Sequence, residues 1–146
     1  MSERSTPLFQ LAPGSRLASS IGTKWSLVPL CIPGGWGVRH NGIDARVLPS
    51  GMIESNDSED LFWAVKLPPP DTHVYSTDPA SPWREISIDA GWYRDHFRIV
   101  MLDPDWDHVR RSYRTPSFED FVMRLEAWLL EILAHGDVKI FDGNKA

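Results

Sequence analysis

The pattern of apolar residues after Ser117 constrains the fold of this chain most strongly. From Phe118 onward, apolar side chains recur at i, i+3, i+4, i+7, i+10, i+11, i+14 and i+15, which places them on one stripe of a single helix. They are Phe118, Phe121, Val122, Leu125, Trp128, Leu129, Ile132 and Leu133. A helix of this kind is about 27 Å long at 1.5 Å per residue. We therefore expect a core helix that is long enough to cross a whole sheet.

The two ends of this helix are also marked in the sequence. Ser117 is a typical N-cap residue, and Asp120 three positions later completes a variant of the capping box. At the other end, His135 complements the helix dipole and Gly136 supplies a residue that tolerates the left-handed conformation. The helix is therefore predicted to begin after Ser117 and to end at His135-Gly136.

The residues that precede the helix predict strands for it to cover. Ile86 and Ile88 alternate with polar residues, which indicates a strand with one buried face. The run 96–102 is expected to be its antiparallel neighbour, with a bend or bulge at Gly91. Residues 61–67 are almost continuously apolar, which predicts a strand buried on both faces.

An Asn41-Gly42 pair lies between two further strand-like runs, 36–40 and 43–48. Asn-Gly is the strongest short signal for a β-hairpin, because both residues tolerate the positive φ of a type I′ turn. The sequence therefore predicts a hairpin here.

Together these elements predict one α+β domain, with an antiparallel sheet and the long C-terminal amphipathic helix packed on one of its faces. A chain of 146 residues fits a single domain. Residues 1–23 are rich in Ser, Pro, Gly and Thr and are expected to form a flexible N-terminal arm with little internal structure. The domain is predicted to span 24–141, followed by a C-terminal tail at 142–146.

The compartment is inferred from what the chain lacks. Cys31 is the single cysteine, so no internal disulfide is possible. Its neighbours Leu30 and Ile32 favour an inert buried thiol over a nucleophile. No apolar run approaches the roughly 18 residues of a membrane span, and the N-terminus does not resemble a signal peptide. We therefore expect a cytoplasmic protein without a membrane partner.

The formal charge of −5 is unevenly distributed along the chain. Residues 1–50 carry five basic and two acidic groups, whereas residues 51–107 carry four basic and twelve acidic groups. This acidic middle segment argues against binding of nucleic acid, which requires clustered Lys and Arg. Two interpretations stay open: a solvated acidic surface that keeps the protein soluble, or a surface that faces a basic protein.

The chain contains seven tryptophans, many for its length. Core and interface anchors on a β-rich scaffold are the ordinary interpretation, because Trp buries a large area. Clustered exposed aromatic residues on a sugar-binding or partner-binding face are the alternative.

No catalytic or metal-binding constellation is recognisable. Asp103, Asp105 and Asp107 imitate the start of a calcium loop, but its sixth and twelfth positions are His108 and Arg114 instead of Gly and Glu. The five histidines show no metal-ligand spacing. Glu85 and Asp89 form a possible carboxylate pair, although sequence alone does not establish glycosidase geometry. We therefore expect no cofactor, no metal and no enzymatic activity.

The order of these features resembles small bacterial immunity proteins of polymorphic toxin systems, particularly the contact-dependent inhibition type. The resemblance covers roughly residues 36–133. It is carried by Trp36-Gly37-Val38-Arg39-His40-Asn41, Glu59-Asp60-Leu61, Ile88-Asp89-Ala90-Gly91-Trp92-Tyr93, Phe97-Arg98-Ile99, Asp105-Trp106-Asp107 and Arg114-Thr115-Pro116-Ser117. Residues 1–35 have no counterpart, and the turn after Tyr93 is shorter than the family leads us to expect.

The resemblance implies that the chain binds a cognate toxin domain in the cytoplasm and blocks it without catalysis. A toxin that acts on nucleic acid would carry a basic cleft, which an acidic surface complements. The predicted contact residues are Glu54, Asp57, Glu59, Asp60, Asp103, Asp105, Trp106 and Asp107. Trp106 is either an exposed binding hot spot or a buried staple beneath the helix entry.

Two other functions stay open. A small hydrolase or metal-dependent enzyme would require a pocket with perturbed titratable groups. A non-toxin interaction module, such as a secretion chaperone or an assembly subunit, would show the same kind of sequence.

Overall fold

The computed structural model describes residues 7–139 and shows an α+β fold with two antiparallel sheets and a C-terminal helix. The first half of this range contains β1 (Leu8–Phe9), α1 (Arg16–Ser20), β2 (Ser26–Leu27), β3 (Trp36–Asn41), β4 (Asp44–Val47) and β5 (Ile53–Ser55). The second half contains β6 (Phe62–Lys66), β7 (Ser87–Tyr93), β8 (His96–Leu102), β9 (Val109–Thr115) and α2 (Phe118–His135). The predicted fold class is confirmed.

A five-stranded sheet in the order β3-β6-β7-β8-β9 forms the centre of the molecule, and α2 covers one of its faces. Phe97 of β8 stacks on Phe121 of α2, with ring centroids 4.4 Å apart. The indole N–H of Trp36 on β3 donates to the carbonyl of Leu129 at 2.8 Å. The helix therefore spans the sheet from β8 to β3, as its length predicts.

Both ends of α2 lie where the sequence predicts them. The Ser117 hydroxyl accepts a hydrogen bond from the Asp120 backbone N–H, and Gly136 adopts the left-handed conformation with φ 75°. Most of the predicted apolar stripe is fully buried, and Leu133 is partly buried against the core.

A smaller four-stranded sheet in the order β1-β5-β4-β2 packs against the same core. It corrects the prediction of a flexible arm for the described part of that segment, residues 7–23. Phe9 contacts the rings of Phe97 and Phe118, and Leu17 of α1 is 1% exposed. Phe9 and Leu17, eight positions apart, anchor this otherwise polar stretch to the core. The composition of residues 7–23 alone gives no sign of this anchoring. Residues 1–6, the last two residues of the predicted domain (140–141) and the predicted tail at 142–146 lie outside the described range.

The predicted hairpin at Asn41-Gly42 is wrong. β3 pairs with β6 in the large sheet, whereas β4 pairs with β2 and β5 in the small one. The Gly42 N–H donates to the carbonyl of Leu61 at 2.7 Å, and its φ is not positive. The Asn-Gly pair is thus a corner between two sheets, because each flanking strand has a better partner elsewhere.

The strands of the large sheet depart from the sequence predictions in two further ways. β9 was not predicted, because its Arg-rich sequence lacks clear apolar alternation. β6 is buried on one face only: Phe62 and Ala64 are in the core, whereas Trp63 between them is 45% exposed. We call the face of this sheet that is turned away from α2 the far face.

Candidate functional site

The eight predicted contact residues do not form one surface. Glu59 and Asp60 precede β6 beside the end of β7, where the Leu61 N–H bonds Ala90 and the Trp92 N–H bonds Ser58. The loop 103–107 begins at the other end of β7, because Leu102 pairs with Ser87. Ser87 and Trp92 are five positions apart on β7, so the two places lie roughly 16 Å apart at 3.3 Å per residue.

Two of the predicted carboxylates are engaged in internal ion pairs. Glu54 on β5 lies 2.6 Å from the guanidinium of Arg46 on β4, across the small sheet. Asp103 accepts from Nε of the buried Arg84 at 3.1 Å. Both carboxylates therefore already have a cationic partner within the fold.

The remaining part of the loop 103–107 is exposed. Asp105 bonds the His108 ring at 2.8 Å, and this hydrogen bond lowers the pKa of Asp105 and raises that of His108. Trp106 is 53% exposed, which excludes the buried staple. Asp107 is also exposed, and its backbone N–H donates to Asp105. The loop is a solvated acidic turn with an accessible indole.

The other acidic end contains a pocket of about 370 Å³ on the far face, which we call the acidic pocket. Its lining residues are His40, Asp60, Phe62, Trp63 and Asp89. Strand register brings three of them together from separate parts of the chain, because His40 pairs with Trp63 and Trp63 pairs with Asp89.

The His40 ring fixes one wall of the acidic pocket. Its Nε2 lies 2.8 Å from the backbone carbonyl of Asp60. A carbonyl only accepts, so Nε2 carries the proton and donates to it. This bond holds the β3 edge of the sheet against the segment that precedes β6.

Asp89 is the electrostatically unusual member of this pocket. Its neighbours across the strands are Trp63 and Val100, both apolar. Burial is the main cause and the charge of Asp60 the next one, and together they raise the pKa of Asp89 to about 6 against a lowering by His40. The carboxyl therefore changes protonation state close to neutral pH.

The same charges act on the neighbouring Tyr93. Burial raises the pKa of the Tyr93 hydroxyl, and the carboxylates of Asp89 and Glu59 raise it further. Glu59 thus belongs to the electrostatic surroundings of the acidic pocket. Within residues 7–139, no Lys or Arg forms a salt bridge with Glu59, Asp60 or Asp89.

Gly91 positions this acidic segment. A Cβ at Gly91 would lie 1.9 Å from the carbonyl oxygen of Glu59 and 2.5 Å from its carbonyl carbon. β7 pairs with β8 without interruption through this residue. Gly91 therefore serves a close backbone approach, and the predicted bend or bulge is wrong.

The arrangement can receive a cation. Unneutralised carboxylates attract an ammonium or a guanidinium, and the exposed face of Trp63 favours a cation placed over it. Sequence reasoning identified Glu59 and Asp60 but missed His40, Trp63 and Asp89 as members of one site. Sequence signals could have found two of the three: Asp89 is a charge in a strand of otherwise small or apolar residues, and Trp63 is one of the seven tryptophans.

The described residues contain no group of three or more His, Cys, Asp or Glu placed to hold a metal ion. Neither helix between residues 7 and 139 has the length and apolar character needed to cross a membrane. Comparison with known proteins finds no match among family models, curated proteins or solved structures.

Proposed function

We propose that this protein is an immunity-type inhibitor, which binds a cognate bacterial toxin domain by receiving one of its basic side chains in the acidic pocket. The observation that carries the proposal is the cluster of Glu59, Asp60 and Asp89 beside the exposed Trp63, without a salt-bridged Lys or Arg. Like charges on a partly buried site destabilise the folded chain. A positively charged partner offsets this loss of stability.

The chemistry of the pocket favours a protein partner with a protruding Lys or Arg. Trp is enriched among the hot-spot residues of protein interfaces, and Arg pairs well with carboxylates and with aromatic faces. The surrounding negative charge accelerates association with a basic cleft. Occlusion of that cleft would neutralise the toxin without a chemical step.

The first test uses the tagged full chain to capture its partner from a lysate of the organism that produces this protein. We expect recovery of the C-terminal domain of a large secreted protein, identified by mass spectrometry. E59K/D60K should abolish capture, whereas the matched reversal D105K/D107K at the other end of the sheet should retain it. Capture that survives E59K/D60K contradicts the role of the acidic pocket.

Protection of living cells separates inhibition from mere binding. Cells that express the captured toxin domain should survive when the wild-type chain is co-expressed and should die with E59K/D60K. Equal killing in both cases would reject the immunity proposal and favour a non-toxin interaction module.

A small hydrolase is the second candidate, favoured by the raised pKa of Asp89 next to the His40 ring. Such a carboxyl can exchange a proton near neutral pH, as general acid–base catalysis requires. Turnover of ester, phosphoester or glycoside substrates that disappears with D89N would support this candidate. Tight capture of a protein partner without turnover would support inhibition.

A further inference from the structure

A second pocket, of about 520 Å³, lies at the opposite end of β6, near the C-terminal end of α2. We call it the lysine pocket and define it by Lys66, Leu67, Pro82, Trp83 and Leu133, which line it. Its volume falls in the range of small-molecule sites. The residues that line the lysine pocket and those that line the acidic pocket do not overlap. The two pockets are thus separate.

The walls of the lysine pocket are mainly apolar and partly exposed. Leu67 is 46% and Trp83 is 45% exposed, although both side chains are large and apolar. Gly35, with φ 113°, brings the chain before β3 against Leu133, where a Cβ would lie 3.0 Å from Leu133 Cδ2. An apolar ligand would cover these walls and gain free energy from the area removed from water.

Lys66 places an uncompensated positive charge in this apolar setting. The residue is 4% exposed. Its ammonium donates to the carbonyl of Pro82 and lies 5.6 Å from the centroid of the Trp83 ring. Within residues 7–139 these are its polar contacts, and no carboxylate pairs with it.

The nearby charges do not neutralise Lys66. Burial lowers the pKa of its ammonium, and the charge of Arg84 lowers it further. Asp103, which could supply a counter-charge, bonds the guanidinium of Arg84. Asp103 therefore pairs with Arg84, and among the described residues no carboxylate pairs with Lys66. A buried ammonium with unused hydrogen-bond donors calls for an anionic acceptor.

We propose that the lysine pocket binds a monocarboxylate with an apolar body, whose carboxylate pairs with Lys66 and whose body covers Leu67 and Trp83. The pairing supplies the missing counter-charge, and the apolar walls exclude highly charged ligands. A free aromatic or branched aliphatic acid and the C-terminal carboxylate of an apolar peptide share this chemistry.

The test is calorimetric titration of the full chain with 3-phenylpropionate and with its neutral amide. The acid should bind at least tenfold more tightly than the amide, because only the acid compensates Lys66. The indole N–H of Trp83 should shift in the NMR spectrum during the titration. Equal binding of acid and amide, or binding of neither, would overturn the proposal.

Variants locate the binding event. K66M keeps the volume of the side chain and should weaken acid binding at least tenfold, whereas K24M, the same change at an exposed lysine, should leave it unchanged. W83A alters an exposed side chain and provides a second variant, which should also weaken binding. Equal effects of K66M and K24M would reject the pocket assignment.

A second pair of probes distinguishes a small free acid from the C-terminus of a peptide as the source of the carboxylate. The probes are acetyl-Gly-Gly-Phe with a free carboxylate and the same peptide with a C-terminal amide. Tighter binding of the free-carboxylate peptide than of 3-phenylpropionate identifies a chain terminus as the ligand. Binding of 3-phenylpropionate alone identifies a small free acid.

Discussion

At the scale of single residues, the acidic pocket combines a functional advantage with a cost in stability. Asp89 ionises between the apolar neighbours Trp63 and Val100, and it does so close to another carboxylate, Asp60. A residue that only supported the fold would be better replaced by a neutral one. Retention of such a destabilising charge is typical of binding and catalytic sites.

The first prediction concerns D89N. The pKa of Asp89 is raised in the folded state, so the proton it holds contributes stability below about pH 4, and this contribution is lost as the pH rises through about 6. D89N removes the ionisable group. After allowance for solvent screening, the variant should exceed the wild type by about 1 kcal/mol in free energy of unfolding at pH 7.5, and much less at pH 4.

Urea denaturation at the two pH values measures this difference. D105N is the matched control, because Asp105 is exposed and its pKa is lowered by His108, so this variant should not gain stability at pH 7.5. Parallel pH profiles for D89N and the wild type would show that Asp89 is not perturbed.

The second prediction concerns binding by the same carboxyl. Protonation of Asp89 removes one negative charge from the acidic pocket, so affinity for a basic partner should fall as the pH decreases through about 6. Calorimetry with the captured partner between pH 5 and 8 measures this dependence, which D89N should flatten. An identical pH dependence in D89N and wild type would assign the titration to another group.

The third prediction concerns G91A. Because a Cβ here would lie 1.9 Å from the Glu59 carbonyl oxygen, the segment before β6 must move. The substitution should cost about 3 kcal/mol of stability and weaken partner binding. Thermal denaturation and calorimetry measure the two effects. G22A is the control, because a Cβ there meets no atom within 4 Å, and it should change neither quantity.

At the scale of elements, α2 derives its position from the stripe of buried side chains and its limits from its caps. The Ser117 hydroxyl satisfies the N–H of Asp120, and the left-handed Gly136 ends the helix with a bond to the Ile132 carbonyl. Burial against the sheet supplies most of the stability, because helices in proteins are stabilised mainly by tertiary packing of their apolar face.

The fourth prediction concerns the N-cap. S117A leaves the Asp120 N–H without its side-chain acceptor and should cost about 1 kcal/mol. S117D restores an acceptor and adds a favourable charge at the helix N-terminus, so it should recover the loss. Urea denaturation measures both variants. Equal destabilisation by S117A and S117D would indicate that the hydroxyl acts through another contact.

At the scale of the whole molecule, the N-terminal segment unites the two sheets. Phe9 of the small sheet contacts Trp92 and Phe97 of the large sheet and Phe118 of α2. The ring therefore lies where three parts of the fold meet. Residues that resemble a polar arm in the sequence close one side of the core.

The fifth prediction follows from this position. F9A should cost about 3–4 kcal/mol, because it empties a site within an aromatic cluster. L8A alters the neighbouring side chain, which is 50% exposed, and should cost less than about 0.5 kcal/mol. Thermal denaturation of the two variants measures the contrast. Similar stabilities for F9A and L8A would contradict the structural role of residues 7–23.

The far face is divided by charge across its width. The acidic pocket occupies the side of β3, β6 and β7, whereas Arg98 and Arg114 lie opposite each other on β8 and β9. The Arg98 guanidinium donates to the Ser112 hydroxyl at 3.0 Å, which holds it on the sheet. A partner with complementary charges would therefore dock in one orientation.

The sequence by itself determined the local features whose signals are short-range. The helix and both of its ends, the β7–β8 pairing, the α+β class and the acidic character near Glu59 and Asp60 all follow from periodicity, capping and charge. Each depends on residues within a few positions of one another, so a single sequence contains the information.

Tertiary structure alone decided what depends on pairing between distant segments. It separated the strands on either side of Asn41-Gly42 into two sheets and added the Arg-rich β9 as the partner of β8. In the folded chain, Glu54 and Asp103 form internal ion pairs. Folding also brings His40, Trp63 and Asp89 together in one pocket. Strand register sets these contacts, and register is fixed by the burial of the whole core, a property that no local window of sequence contains.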